Sequence, residues 1–467
     1  MTKIGLEIHC QLTKLESKLF CACKADYRNL SPNSNICPVC AGLPGSLPVL
    51  NKKAVEKAAL ISLALDCKIP EKISFFRKNY FYPDLPKNFQ ITQYNAYGPT
   101  SIGWEGAVEI EGRPIRIRRI QLEEDPGRLV YEGSSEKTQV TLVDYNRAGT
   151  PLVEIVTEPD FENPRQVRIF LNVLADLVEN LGVSDPYLEG AMRVDGNISV
   201  AGGNRVEIKN VGSFRDIEKA LHFETTRQQS LVDRQIEVAA ETRHWDEARR
   251  ITVSARSKEE EQDYRYLPEA DIPVVVITKA QIESLRKEMP ESIVAKKDRY
   301  AKKLGMPQQV AEVLSSDKFY SDLFEKAHTE SNAREVANII TTDLMGLADT
   351  REKKLELRIT PRHISDLADA IVGNKLSRNS GKAALYEMIK TGKPLADVIS
   401  SLDLGNLNDA SSIEKIIDEV FKEEEKAVAE ARQNPSTINY LVGKVMRKTK
   451  GKADPATTLE IMKKKLA

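Results

Sequence analysis

Long apolar runs are what this 467-residue chain most plainly lacks. Its densest, Pro273-Val274-Val275-Val276-Ile277, falls far short of the ~20 residues that span a bilayer. The first ten residues carry Lys3, Glu7 and His9 instead of an apolar core, so no secretory leader is expected. These absences predict a cytoplasmic protein, or one of an equivalent interior compartment, with no membrane partner. Excess charge of one sign is missing too: 68 Lys and Arg oppose 69 Asp and Glu, a formal net charge of -1. A global polycation is excluded, so any nucleic-acid surface must be local. The glycine cradles of nucleotide-binding proteins are also absent. Gly373 to Lys382 fails the phosphate-loop pattern on spacing and on the residue after the lysine, and no G-x-G-x-x-G occurs. Neither a G-x-S-x-G elbow nor a Ser- and Gly-rich amidase signature is found. A bound nucleotide must then be held through acidic groups and Mg²⁺, which prefers oxygen ligands and bridges phosphates.

Cysteine is scarce but clustered. Of six, four fall together as Cys21, Cys23, Cys37 and Cys40. In an interior protein this favours a metal over a disulfide framework. The Cys-x-Cys half is tight, whereas Cys37-Pro38-Val39-Cys40 is a good thiolate knuckle. Four thiolates would close a tetrahedral structural zinc site, contributing roughly 10 kcal/mol or more to local folding. Free or redox-active thiols are the alternative; four protein ligands leave no open position for a catalytic zinc. Cys10 and Cys67 read as small core residues.

Glu7-Ile8-His9 carries the sharpest chemical signal. On a strand, Glu7, His9 and Gln11 share one face while Leu6, Ile8, Cys10 and Leu12 take the other. A carboxylate and an imidazole two apart on a rigid strand are plausible ligands for a catalytic divalent metal. An ordinary wet strand face is the competing reading. Carboxylates recur at Glu123-Glu124-Asp125, from Glu154 to Glu158, and at Glu207-Ile208-Lys209.

About three domains are expected from length, at ~150 residues each. The first 290 residues look rich in strands and turns. Val108 to Glu111 alternates, and Gly112-Arg113-Pro114 turns it into Ile115 to Arg118. A second hairpin joins Asn197–Val200 to Arg205–Lys209 through Ala201–Asn204; Glu207 and Lys209 share a face, and loop parity decides whether Asp195 and Asn197 join them. Helices are predicted at Ala54 to Leu65, Pro164 to Leu181 and Phe214 to Glu241. The mixture predicts an α+β domain on a largely antiparallel sheet. From Glu291 the chain is charged and helical in period, with helices at Pro290–Leu304, Gln308–Leu314, Ala333–Leu347 and Pro361–Val372. Gly405 to Ser412 reads as a linker, followed by a charged helix at Ile413–Arg432. From Lys444 onward Lys444, Arg447, Lys448, Lys450, Lys452, Lys463, Lys464 and Lys465 face Asp454 and Glu460, an excess suited to tracking phosphates. A solvated terminus explains it equally.

The long motifs carry a resemblance. Ile4 to His9, Arg77 to Lys87, Leu122 to Asp125, Leu142 to Asp160, Glu207 to Asn210 and Asp263 to Tyr266 together resemble the B-subunit family of the aspartyl/glutamyl-tRNA amidotransferases. Pro126, Leu267 and Ala270 depart from the family's usual alanine, phenylalanine and proline. The archaeal sister subunit is longer, which favours the B form. The resemblance implies a catalytic cradle domain over 1–290 with a zinc-binding insertion at 21–40, an all-helical domain over 291–404 and a small helical, tRNA-binding tail over 405–467. It implies a ligase subunit that phosphorylates the side-chain carboxylate of Glu or Asp on a misacylated tRNA with ATP, after which ammonia displaces phosphate. The missing amidase signature implies an amidase (glutaminase) partner, with a small third subunit completing a heterotrimer.

The implied magnesium ligands are His9, Glu123 and Glu207, with Glu7 and Glu124 behind them or on a second metal. Lys78, Arg147 and Lys209 would steady phosphate, against the alternative of structural ion pairs. Asp195 and Asn197 are further candidates, and Tyr80 and Tyr82 would stack on a base or adenosine unless they are core. His222, His244, His328 and His363 sit among charges and are expected to be solvated. The competing function is a zinc-stabilised RNA-binding or assembly protein whose carboxylates only maintain structure.

Overall fold

The computed structural model describes residues 2–95, 98–131, 140–257, 264–402, 404, 410–433, 437–449, 453 and 455–466. The chain divides into two compact units, residues 1–290 and 291–467.

In the first unit the strands are β1 (Thr2–Gln11), β2 (Lys72–Ile73), β3 (Phe76–Asn79), β4 (Phe89–Thr92), β5 (Gly103–Ile110), β6 (Arg113–Glu124), β7 (Arg128–Tyr131), β8 (Thr141–Asp144), β9 (Pro151–Thr157), β10 (Met192–Val200), β11 (Val206–Lys209), β12 (Glu241–Asp246), β13 (Ile251–Ser257), β14 (Leu267–Pro268) and β15 (Val275–Val276). Its helices are α1 (Lys52–Ala64), α2 (Pro164–Asn180), α3 (Phe214–Asp233) and α4 (Lys279–Glu288). Eight strands form one sheet in the order β13-β12-β11-β10-β1-β9-β6-β5. Every neighbouring pair in it is antiparallel except β11 and β12. A three-stranded sheet, β14-β3-β4, and the pairs β15-β2 and β7-β8 complete the strands.

The alternation of β1 decides the layering. Ile4, Leu6, Ile8 and Cys10 are buried and share one apolar cluster with residues of α1, α2 and α3. Each helix starts at a side-chain cap: Asn51 accepts from the Ala54 amide, Asn163 from Gln166 and Ser213 from Asp216. In α2, Val167, Phe170, Leu171, Leu174 and Val178 recur at helical spacing and are all buried. Two glycines allow close approach. A Cβ at Gly196 would come within 3.1 Å of Ile217 and 3.2 Å of Leu221, so α3 presses on β10 from that side. A Cβ at Gly106 would strike Cys67 Sγ and the Leu65 carbonyl after α1.

Several boundaries differ from expectation. The first hairpin turns at Glu111-Gly112, whose φ values of 51° and 78° suit a tight two-residue turn, and Arg113 and Pro114 already belong to β6. The helix expected to reach Glu241 stops at Asp233; Gln235 takes φ 59°, and Glu241 opens β12. In the second unit Ala333–Leu347 is an α-helix only to Asn338, followed by a π-helical turn at Ile339–Leu344. The helix expected at Ile413–Arg432 is broken into Ala410–Glu423 and Glu425–Gln433. Pro361–Val372 has the expected bounds. Helices at Lys318–Ala327, Arg378–Thr391, Leu395–Leu402, Ile438–Lys448 and Pro455–Leu466 were not among the expected ones. The unit contains one apolar cluster drawn from Tyr300 to Val398 and another from Ile413 to Met462. Much of the expected linker, along with Lys450, Lys452 and Asp263, lies outside the described residues.

Candidate active site

Glu7 and His9 stand on the polar face of β1, away from the helices. The sheet register brings other strands' side chains to them. Glu7 lies opposite Asp195 of β10 and Val156 of β9, and His9 opposite Glu154. Around His9 Nε2 stand Glu7 Oε1 at 3.7 Å, Glu123 Oε1 at 3.8 Å and Glu154 Oε2 at 4.0 Å. Glu7, His9 and Glu154 each offer one ligand atom, all within 4.8 Å of one another. Two carboxylates and one imidazole, with Glu123 alongside, make an oxygen-dominated set that could hold a hard divalent cation.

Burial sets the charges here. It lowers the His9 imidazole to about 4, so the ring is neutral and free to ligate at neutral pH. The Glu154 carboxyl rises to about 8, chiefly by burial and then by the neighbouring Glu7 and Glu123. Glu123 is also raised by burial, although Lys78 and the hydroxyl of Thr92, which donates to it at 2.8 Å, pull the other way. Burial alone would raise Glu7, but His9, Lys209 and Lys78 outweigh it and hold the carboxyl low.

A cavity of about 450 Å³ opens beside this cluster, lined by Glu7, His9, Glu123, Lys78, Tyr80, Arg193, Asp195 and Lys209 among others. Three cations therefore face the acidic group. Lys78 lies 4.5 Å from the ring centroid of Tyr264 and 5.6 Å from that of Tyr80. Burial would strip its proton, but Tyr266, Tyr80, Glu123 and Glu154 keep it charged. Lys209 donates to Asp195 at 2.9 Å. The register pairs Asn197 with Glu207, which answers the parity question: Asp195 and Asn197 do share the face of Glu207 and Lys209. Arg193 donates through Nη2 to the buried Asp125 at 2.7 Å, while its buried Nε has no partner among the described residues.

Several predicted residues stand elsewhere. Glu207 is not in the group around His9; it accepts from the Thr242 hydroxyl at 3.0 Å, lies 3.7 Å from Lys209 and pairs with Asn197, two positions along β10 from Asp195. Glu154 takes the place expected of it, because β9 and not β11 adjoins β1 on that side. Glu124 points off the cavity: Lys87 donates to both its oxygens, at 2.5 and 2.6 Å, and the Ile91 amide donates at 2.8 Å. Arg147 donates to the carbonyls of Pro126 and Gly127 at 2.9 and 2.6 Å. Asn197 lines a separate cavity of about 180 Å³. Tyr80 lines the main cavity, whereas Tyr82 is 42 % exposed and packs edge-on to Tyr80. Three histidines are not merely solvated: His328 stacks on Phe324 at 4.3 Å, His363 helps cap its own helix, and His244 on β12 has its Nδ1 buried.

The four clustered cysteines do converge. One Sγ from each of Cys21, Cys23, Cys37 and Cys40 lies within 4.8 Å of the others, a set that could hold a metal. Thiolates ~2.3 Å from one ion span such distances. Hydrogen bonding with Cys21 pulls the Cys40 thiol down to about 4, with Lys18 Nζ 3.6 Å away, while burial lifts Cys23 to about 11.

Among the described residues no helix is long and apolar enough to cross a membrane. The chain matches the family described as GatB/GatE catalytic domain over residues 2–283 and that described as GatB domain over 322–466. It is 46 % identical over 469 residues to the B subunit of the aspartyl/glutamyl-tRNA(Asn/Gln) amidotransferase of Saccharolobus solfataricus, covering 100 % of this chain and 99 % of that one. Identity to the protein of the same name from Thermotoga maritima is 43 %, covering 99 % and 98 %, and to that from Methanosarcina barkeri 41 %, with the same coverage.

Proposed function

The chain belongs to the B-subunit family of the tRNA-dependent amidotransferases, ligase-type enzymes of translation, and from that premise we propose that its cavity phosphorylates the side-chain carboxylate of Glu-tRNA(Gln), Asp-tRNA(Asn) or both. A carboxylate is a poor electrophile. Transfer of the ATP γ-phosphoryl group to a carboxylate oxygen gives an acyl phosphate and ADP. Ammonia then attacks the carbonyl carbon, phosphate leaves, and the amide remains.

The observation that carries this reading is the neutral His9 within 4.0 Å of three carboxylates, with Lys78, Arg193 and Lys209 lining the same cavity. His9, Glu154, Glu123 and Glu7 would hold the divalent cation. When bound, magnesium supplies charge neutralisation to the transferring phosphoryl group. Lys78 and the Arg193 guanidinium would bind phosphoryl oxygens, and the Tyr80 ring beside Lys78 would support a base or the terminal adenosine. Lys209 would orient Asp195 and complete the positive wall. Cys21, Cys23, Cys37 and Cys40 would hold a structural zinc. Ammonia would come from an amidase partner, with a small third subunit in the assembly, in the cytoplasm. The second unit, divided near residue 404, would grip the tRNA.

The test is ADP release by the chain assembled with its amidase partner, with and without each misacylated tRNA, glutamine omitted. Release that requires one of them, lost in Glu123→Ala while tRNA still binds, is expected. No release from an intact, tRNA-binding complex would leave a zinc-stabilised RNA-binding protein as the better reading.

A further inference from the structure

The face of the large sheet opposite the His9 cluster has a cavity of its own, about 790 Å³, between the first turns of α2, the helix α3 and the β12–β13 hairpin. Its walls carry Arg165, Arg168, Arg215, Lys219 and Arg250 against one carboxylate, Glu218. Five of its twelve lining residues are Lys or Arg, against 68 of 467 in the whole chain. Three of them are partly answered: Arg168 by Glu218 at 3.2 Å, Arg165 by Glu111 at 3.6 Å, and Lys219 by Asp216 at 2.8 Å. Arg215 and Arg250 are exposed and make no ion pair among the described residues.

A second observation is independent of the charges. Trp245 lines the same cavity and is only 7 % exposed, yet its indole N–H is buried with no hydrogen-bond partner among the described residues. Unpaired buried donors are rare because their lost hydration goes uncompensated. The indole ring lines the wall, so an occupant seated there changes the surroundings of the ring. Guanidinium groups, planar and always charged, suit phosphate oxygens best, and the cations stand on three different elements around a wide mouth rather than in a closed pocket.

We propose that this cavity is a phosphate-binding site that takes the phosphodiester backbone of RNA, on the side of the sheet away from the reacting carboxylates. The choice of tRNA as that RNA rests on the function proposed above; the phosphate chemistry does not. A strand held here by its backbone gains affinity without base readout.

The chain has two tryptophans, so Trp104→Phe leaves Trp245 as the sole indole reporter. The full-length chain with that substitution is titrated separately with unacylated tRNA and with inorganic phosphate. With tRNA, a saturable change in Trp245 emission is expected. The double variant Arg215→Ala/Arg250→Ala abolishes that change and weakens tRNA binding about 10-fold at low salt. Its log–log salt slope is shallower by about 1–2. Arg215→Lys/Arg250→Lys keeps most of the binding, which separates a charge effect from misfolding. Saturation by inorganic phosphate that tRNA does not compete away would overturn the RNA assignment. No emission change with either ligand would overturn the site. ADP release by the assembled complex at saturating misacylated tRNA is unchanged in the alanine variant. Absence of ADP release in the unsubstituted protein, with the Trp245 signal intact, would instead count against the phosphorylation chemistry alone.

Discussion

A carboxyl group buried among other carboxyls is held there by something other than its own stability. Glu154 is 6 % exposed, stands beside Glu7 and Glu123, and its proton is held up to about 8. Its value lies in a ligand it would share with His9. Glu154→Gln is therefore expected to lower tRNA-dependent ADP release by roughly 100-fold or more, and to raise the melting temperature by about 2–4 °C at pH 8 by relieving repulsion. Steady ADP assays and a thermal melt read both; an active variant would remove Glu154 from the ligand set. Glu325 in the second unit behaves the opposite way. Burial would raise it, but it accepts from Tyr300 Oη and from Arg299, each at 2.6 Å, and its carboxyl is held low. A depressed carboxyl contributes stability above the unfolded value of about 4.3 that is lost as pH falls through the lower folded one. The melting-temperature gap between the parent and Glu325→Gln should thus be widest near pH 7 and close below about pH 4.

At the scale of elements, close packing sets the tolerance of the catalytic unit. The Gly106 site on β5 has no room for a methyl group against Cys67 and the Leu65 carbonyl. Gly106→Ala should cost about 2–3 kcal/mol as overpacking, seen as a lower urea midpoint with an unchanged m value; an unshifted midpoint would mean that the end of α1 yields freely. How far such elements could be read in advance follows from the same local physics. The period-two pattern of β1 and the capped, amphipathic α2 are encoded in neighbouring residues, and both were legible. So was the clustering of Cys21, Cys23, Cys37 and Cys40. Strand order was not. Glu154 sits in Leu152-Val153-Glu154-Ile155-Val156, and a carboxylate in so apolar a run was a usable signal. Choosing it over Glu207 required knowing that β9 lies next to β1. The places of Glu124 and Arg147 were illegible for a related reason, since their partners Lys87 and the Gly127 carbonyl are set by loops that no periodicity describes. The short helices of the second unit were missed where charge dilutes their apolar spacing, as in Lys318–Ala327.

For the whole molecule, two units with separate cores should unfold in separate steps. The cysteine cluster adjoins Leu19 and Phe20 of the first core. Metal removal by a chelator should lower the transition of that unit by more than about 10 °C and leave the other where it was, as calorimetry would record. A single transition moving as one would contradict it. The position of β1 in the middle of the large sheet has one more consequence, which concerns synthesis. Its partners are far along the chain: Glu7 pairs with Val156 on one side and Asp195 on the other. A ribosome adding ~5–20 residues per second needs roughly 10–40 s to deliver both after β1 emerges. Both edges of β1 stay open until β9 is made, and the edge toward β10 stays open for the whole interval. The nascent chain thus holds an unpaired strand with one apolar face well before its partners exist, and completes its carboxylate cluster only with Glu154, which makes β1 a client segment for a chaperone at the exit tunnel.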